Sequence, residues 1–152
     1  MDQQETGRAQ VAVGQTVVRA YTFTRENIAD YARMAGDTNP LHLDPEVAIR
    51  SRFEGIIAAA AHSTGVLVSV LADAYAKEGQ AVGLGFAFQL RRAVPAGAVT
   101  RLEWTITSLT QSDRPRGRIA DLSGQLTDAD TGLVYVTASG QMLFFTPAGE
   151  AS

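Results

Sequence analysis

The sequence predicts an α+β fold, and three features of its 152 residues predict it. Helical periodicity is confined to the first half of the chain. β-rich stretches punctuated by Gly, Pro and Asp turns fill the second half. Between them runs a long segment, small or apolar on nearly every face, that reads as a helix buried on most sides. Helices and strands that segregate along the chain point to α+β rather than to alternating βαβ units. A long antiparallel β-sheet wrapped around a central buried α-helix satisfies all three.

Thr16 to Thr24 alternates and is rich in β-formers, which predicts a first strand. Thr24 then stands where a helix N-cap should, with Glu26 in the first turn. Ile28, Tyr31, Ala32 and Ala35 recur at helical spacing, and Gly36 stops the helix. The stretch from Asp37 to Asp44 is expected to be irregular, because Pro40 and the residue before it resist helical geometry. Asp44-Pro45 reads as N-cap and first residue of a short helix running to about Arg52. Phe53 to Gly55 is a break. The long helix is expected from about Ala58 to Lys77, closed by Gly79. Four strands follow, roughly Val82–Val94, Val99–Thr110, Arg118–Thr127 and Leu133–Phe145. The turns between them fall at 95–97, 113–117 and 128–132, and strands joined by short turns are expected to pair antiparallel. Leu102, Trp104 and Ile106 share one strand face, with Glu103, Thr105 and Thr107 on the other.

Composition narrows the function. With 45% hydrophobic and 19% charged residues, the chain is globular rather than disordered. No repeat or linker divides it, so residues 15–146 read as one domain, between a flexible segment at 1–14 and a tail at 147–152. A net charge of −3 argues against a nucleic-acid footprint. The absence of cysteine excludes disulfides and thiol nucleophiles, and two histidines, His42 and His62, are too few for a three-histidine metal site. No metal is expected. Met1 to Gln15 lacks the apolar core of a targeting signal. The longest apolar stretch, Ile56–Ala76, is broken by His62, Ser63, Thr64, Ser69 and Asp73, so no membrane span is expected and a cytoplasmic location is the default.

The chemistry concentrates between Tyr31 and Asp44. There an acid, Asp37, an amide, Asn39, and an imidazole, His42, share a Pro-stiffened loop after a helix. A turn can bring Asp37 and His42 onto one small volume, where a carboxylate and an imidazole activate a shared water. Asn39 can brace the loop or orient one of the pair. The plainer alternative is an Asx-type helix stop with a surface histidine. His62 is read chiefly as a hydrogen-bonded packing residue of the buried helix, and Ser63 and Ser69 as helix-packing hydroxyls. Arg91 and Arg92, with Arg114, Arg116 and Arg118, are either phosphate contacts or a solvated rim.

The ordered set Gly36, Asp37, Asn39, Pro40, His42, Asp44, Ala48 and Phe53 resembles the hydratase motif of the MaoC-like, (R)-specific enoyl-CoA hydratase family. Phe86 to Gly97 resembles the family's strand and turn into "Pro-Gly", so the resemblance runs from about Thr16 to Phe145. It implies a hotdog fold, commonly as a homodimer or dimer of dimers, and addition of water to a trans-2-enoyl thioester on CoA or a carrier protein, or the reverse. It implies that Asp37 and His42 are the catalytic pair and that the Ala60 backbone N–H is the oxyanion donor. Gly36, Phe53, Ala59, His62 and Ser63 then become candidate pocket residues, and Arg91 and Arg92 candidate contacts for CoA phosphates. No cofactor is implied. Where many members carry Ile-Ala-His-Gly-Met, this chain has Ile57-Ala58-Ala59-Ala60-Ala61 and then His62, which fits a variant ending in Gly-Trp-His. The alternatives are a hotdog thioesterase, which typically places an acid on the central helix, and a non-catalytic acyl-thioester-binding subunit, whose sign would be a missing Asp or His. Here the helix has no carboxylate before Asp73, and both Asp37 and His42 are present.

Overall fold

The computed structural model describes residues 11–76 and 80–146. The elements run β1 (Thr16–Thr22), α1 (Arg25–Ala35), α2 (Pro40–Leu43), α3 (Pro45–Arg50), α4 (Ala60–Tyr75), β2 (Ala81–Leu90), β3 (Val99–Asp113), β4 (Arg116–Asp128) and β5 (Val134–Phe145). The strands form one antiparallel sheet in the order β1-β3-β4-β5-β2. It curls around α4, giving the α+β architecture expected. Among the described residues no helix is long and apolar enough to cross a membrane.

The inner face is built by period-2 alternation. Leu102, Trp104, Ile106, Ala120, Leu122, Leu126, Val136 and Met142 are all buried and meet Leu67, Val70 and Leu71 of α4. Trp104 fastens the two layers. Its ring is fully buried, and its indole N–H donates to the Leu67 carbonyl at 2.8 Å, satisfying the one polar atom that burial would otherwise leave unpaired. Its ring occupies the space beside its cross-strand partner, Gly124, which has no side chain to fill it.

Four expectations are corrected. Residues 40–43 form a turn of helix rather than irregular chain: Asn39 absorbs the pre-proline restriction in extended geometry (φ −62, ψ 120), and Pro40 then starts the turn. β2 and β3 do not pair although a short connection joins them. Residues 91–98 cross from one edge of the sheet to the second strand from the other, so β2 pairs β5 and forms an edge. Helix α4 is buried on one side only, with Ala60, Ala61, Gly65, Ala72 and Asp73 exposed. Small side chains suggest all-round burial, but they equally mark a face that a single sheet cannot reach. The helix also begins at Ala60, after extended chain, and Tyr75 is its last residue, with Ala76 as C-cap. The expected stop at Gly79, and Lys77 before it, lie outside the described residues. So do residues 1–10 and 147–152 of the expected terminal segments. Residues 11–14, placed in the first of these, are tied to the sheet: Val11 accepts from Arg118, and Gly14 N–H donates to Ile106.

A methyl added at Gly124 would lie 2.5 Å from the Trp104 ring. Gly124→Ala is therefore expected to lower unfolding free energy by about 1–3 kcal/mol, the usual range for overpacking. Urea denaturation measures it, and an unchanged midpoint would show that Trp104 can tilt without loss.

Candidate active site

The site begins with how α1 stops. Gly36 takes a left-handed φ of 72, open to glycine at no steric cost, and turns the chain out of the helix. The Asp37 N–H then folds back onto the Ala32 carbonyl at 2.8 Å, so the acid hangs directly from the last turn of α1. Asp37 Oδ1 accepts the Asn39 N–H at 3.0 Å, and Asn39 Oδ1 accepts the Leu41 N–H at 3.0 Å, capping α2. Asn39 thus braces the loop. The one turn of α2 lifts His42 to face Asp37, with Nε2 3.5 Å from Asp37 Oδ2.

His42 is almost wholly buried, whereas the Asp37 side chain keeps 36% exposure. The imidazole Nδ1 lies 2.7 Å from the Ile57 carbonyl oxygen. A carbonyl only accepts, so Nδ1 carries a proton, and in the neutral tautomer this fixes, Nε2 presents its lone pair to Asp37. A carboxylate oxygen and an imidazole lone pair at this spacing can both accept from one water.

Ile57 is itself held fast. Its N–H donates to Leu41 at 3.1 Å, Ala58 N–H donates to Val94 at 2.9 Å, and Ala96 N–H donates to Ile56 at 2.9 Å. This extended ledge leads straight into α4, whose N-cap, Ala59, offers no side-chain cap. Ser63 N–H is bonded to the Ala59 carbonyl, but the first-turn N–H groups of Ala60 to His62 have no intrahelical acceptor. Ala60 and Ala61 are exposed there, so donors and dipole face outward three residues beyond the His42 anchor.

The other predicted residues lie as follows. Ser63 is buried with its hydroxyl on the Ala60 carbonyl at 2.9 Å, and Ser69 donates to the Val66 carbonyl at 2.8 Å. Both hydroxyls bond back onto the helix. His62 is 3% exposed and set among rings: it stacks on Tyr31 (centroids 4.6 Å, interplanar 3°) and meets Tyr21 and Phe23 edge-on. Its Nε2 is 2.9 Å from the Tyr21 hydroxyl. Burial pushes its pKa below the ordinary histidine value, and neighbouring His42 adds to the lowering. Gly36 is exposed at the helix end, and Ala59 is buried. Phe53 is 40% exposed, under the Arg52 guanidinium. Arg91 and Arg92 are exposed beyond β2, each with its backbone N–H on the Tyr135 carbonyl, and Arg92 also donates from its guanidinium to Val134. A groove of about 400 Å³ opens beside His42, walled by Arg25, Ala29 and Arg33 of α1 and by Leu43, Pro45 and Ile56. Sequence reasoning missed this groove, the Ile57 carbonyl and the Tyr21–His62–Tyr31 stack. Of the stack, the sequence signals only Tyr31, as a member of the helical apolar series, and His62, as a hydrogen-bonded packing residue; their partnership with each other and with Tyr21 leaves no signal.

The sequence profile of the MaoC-like domain matches residues 8–122. No curated protein sequence matches the chain. Among solved structures, the chain is similar to an (R)-hydratase from A. caviae involved in PHA biosynthesis, at 26% identity and a TM-score of 0.79, over 90% of this chain and 99% of that one. It is similar to an R-hydratase from Pseudomonas aeruginosa in unliganded form, at 18% identity and a TM-score of 0.78, covering 95% and 92%. It also resembles a truncated 3R-hydroxyacyl-ACP dehydratase complex from Mycobacterium tuberculosis, at 18% identity and a TM-score of 0.72, covering 88% and 98%. These likenesses establish the hotdog architecture.

The lowered pKa of His62 has a consequence for folding. The folded state holds this ring neutral, while the unfolded chain protonates it below about pH 6.5. Its contribution is therefore fully present above about pH 6.5 and is lost as pH falls through the lowered folded-state value. Urea midpoints taken from about pH 8 to about pH 5 should fall for the wild type and fall less for His62→Gln. Parallel curves for the two proteins would show that His62 titrates alike folded and unfolded.

Proposed function

The chain belongs to the MaoC-like domain family, and from that premise we propose that it adds water to a trans-2-enoyl thioester, or removes it from the (R)-3-hydroxyacyl thioester, on CoA or a carrier protein. The observation that carries this reading is the facing of Asp37 and His42 across 3.5 Å, with the Nε2 lone pair freed by the Ile57 carbonyl. Both atoms accept hydrogen bonds from one water and hold its oxygen toward the β-carbon. Asp37, the more exposed and acceptor-only group, takes a proton as that oxygen attacks. The same face returns a proton to the α-carbon, so the elements of water add without any net change at the enzyme. Negative charge gathers on the thioester oxygen, which the unbonded Ala60 N–H at the α4 terminus is suited to receive. The thioester carbonyl itself acidifies the α-position, so the chemistry calls on no metal or redox cofactor. Arg91 and Arg92, exposed just before the Val94 ledge, offer a rim for the carrier's phosphates.

The functional unit in this proposal is a homodimer. β2 is an edge strand of uncharged sequence, and Val82, Leu84 and Leu90 on it are 43–55% exposed. A bare edge of this kind pairs readily with another strand, and a second copy supplies one of matching length.

Asp37→Asn and His42→Ala are each expected to lower hydration at least several hundred-fold, within the range for general acid–base groups. The double variant should fall little further, because both residues serve one water. Loss of the enoyl chromophore across a panel of acyl-CoAs measures this. Free CoA released in the same wells, with the chromophore lost only through cleavage, would identify a thioesterase instead. Near-normal turnover by folded Asp37→Asn would remove the acid from the mechanism.

Light scattering at micromolar concentration should report a dimer or a dimer of dimers. Leu84→Lys, which puts a charge on the β2 edge, should shift it toward monomer. A fully active wild-type monomer would defeat the homodimer.

A further inference from the structure

His62 is a buried titratable group that the proposed reaction leaves unused, and its environment is unusual. It is 3% exposed, its Nε2 faces the Tyr21 hydroxyl at 2.9 Å, and its Nδ1 is buried without a partner. A buried N–H left unmade is rarer in folded proteins than an idle acceptor, so the proton belongs on Nε2, donated to Tyr21. A side chain that leaves a polar atom idle calls for an explanation beyond packing, since an apolar residue would fill the space without that cost.

The explanation lies in what the ring joins. His62 sits in the first turn of α4, beside the outward-facing N–H of Ala60. Its face stacks on Tyr31, which belongs to the last two turns of α1. Next to Tyr31 is Ala32, whose carbonyl holds the Asp37 N–H at 2.8 Å. The Tyr31 hydroxyl reaches along α4 to Gly65, where an added Cβ would stand 3.9 Å from it. On the other side, Tyr21 ties the ring to β1. Three elements therefore meet at one imidazole, and one of them carries the acid.

We propose that His62 is a positioning residue of the water-activating site: stacked on Tyr31 and bonded to Tyr21, it fixes α1, and with it Asp37, against the amino-terminal turn of α4. Stacking sets the spacing of the two helices, and the hydrogen bond stops the ring from turning out of the stack. His42 is anchored separately, through Ile57, so loss of the stack moves Asp37 relative to His42 and Ala60. The inference rests on the proposed hydration reaction for its kinetic test only.

His62→Leu and Tyr31→Leu, assayed with crotonyl-CoA, should each lower kcat about tenfold and leave KM within about threefold, since a misplacement of about an ångström costs up to about a hundredfold in rate. Tyr31→Phe keeps the stack and should restore wild-type kcat. In the substrate-free protein the His42 ring resonances, distinguishable because the chain has two histidines, should shift in both leucine variants and return in Tyr31→Phe. Unchanged kcat in folded His62→Leu, or a raised KM with kcat intact, overturns the proposal. Should neither leucine variant fold, Tyr21→Phe frees the ring more gently and should lower kcat at least about threefold; an unchanged rate there overturns it equally. If the wild type hydrates no enoyl thioester, the reaction is wrong, and the His42 resonances alone decide the role of His62.

Discussion

The bond from the His42 imidazole to the Ile57 carbonyl is the constraint on which the rest of the site depends. It fixes the tautomer, and so decides which nitrogen faces the acid. It also decides where the loop can sit, because Ile57 belongs to a ledge pinned to residues 94–96 of the sheet connection. A loop that would otherwise be an exposed helix stop becomes part of the frame. The partners of this bond are fifteen residues apart, with the whole of α3 between them. α3 thus reads as a spacer, capped at both ends, that returns the chain to its starting point.

The second fastening runs through Trp104. Its indole reaches across the core to α4, so the helix that presents Ala60 cannot slide along the sheet without breaking a buried hydrogen bond. Glycines opposite the large rings make this possible: Gly124 under Trp104, and Gly140 under Phe86. The sheet is thin where the rings are thick, and close packing follows from that alternation rather than from uniform side-chain size.

The loop was legible because its chemistry is local. The Thr24 and Asp44 caps, the stop at Gly36 and the bracing by Asn39 all act over five residues or fewer, within reach of spacing rules. The inner-face alternation of Leu102, Trp104 and Ile106 was legible for the same reason. What was not legible depends on distant partners. The segregated strands implied a sheet, but not that β2 would leave its sequence neighbour for β5. The alanines of α4 implied close packing, but a composition cannot say whether the face they form is covered. The Tyr21–His62–Tyr31 cluster joins residues from three elements, and no periodicity within any one of them encodes it.

The uncapped start of α4 sets stability and chemistry against each other. Ala59 leaves the first-turn amides without the side-chain oxygen that most helices place there. A serine or aspartate at that position would ordinarily gain about 0.5–2 kcal/mol. It would also tie up the Ala61 or His62 N–H, immediately beside the Ala60 N–H that the proposed reaction uses. A selection for thermal robustness alone would find such a replacement readily, and an aspartate would add a fixed negative charge at the mouth of the site. The bare alanine thus marks a position where a tougher protein and a working one call for different residues.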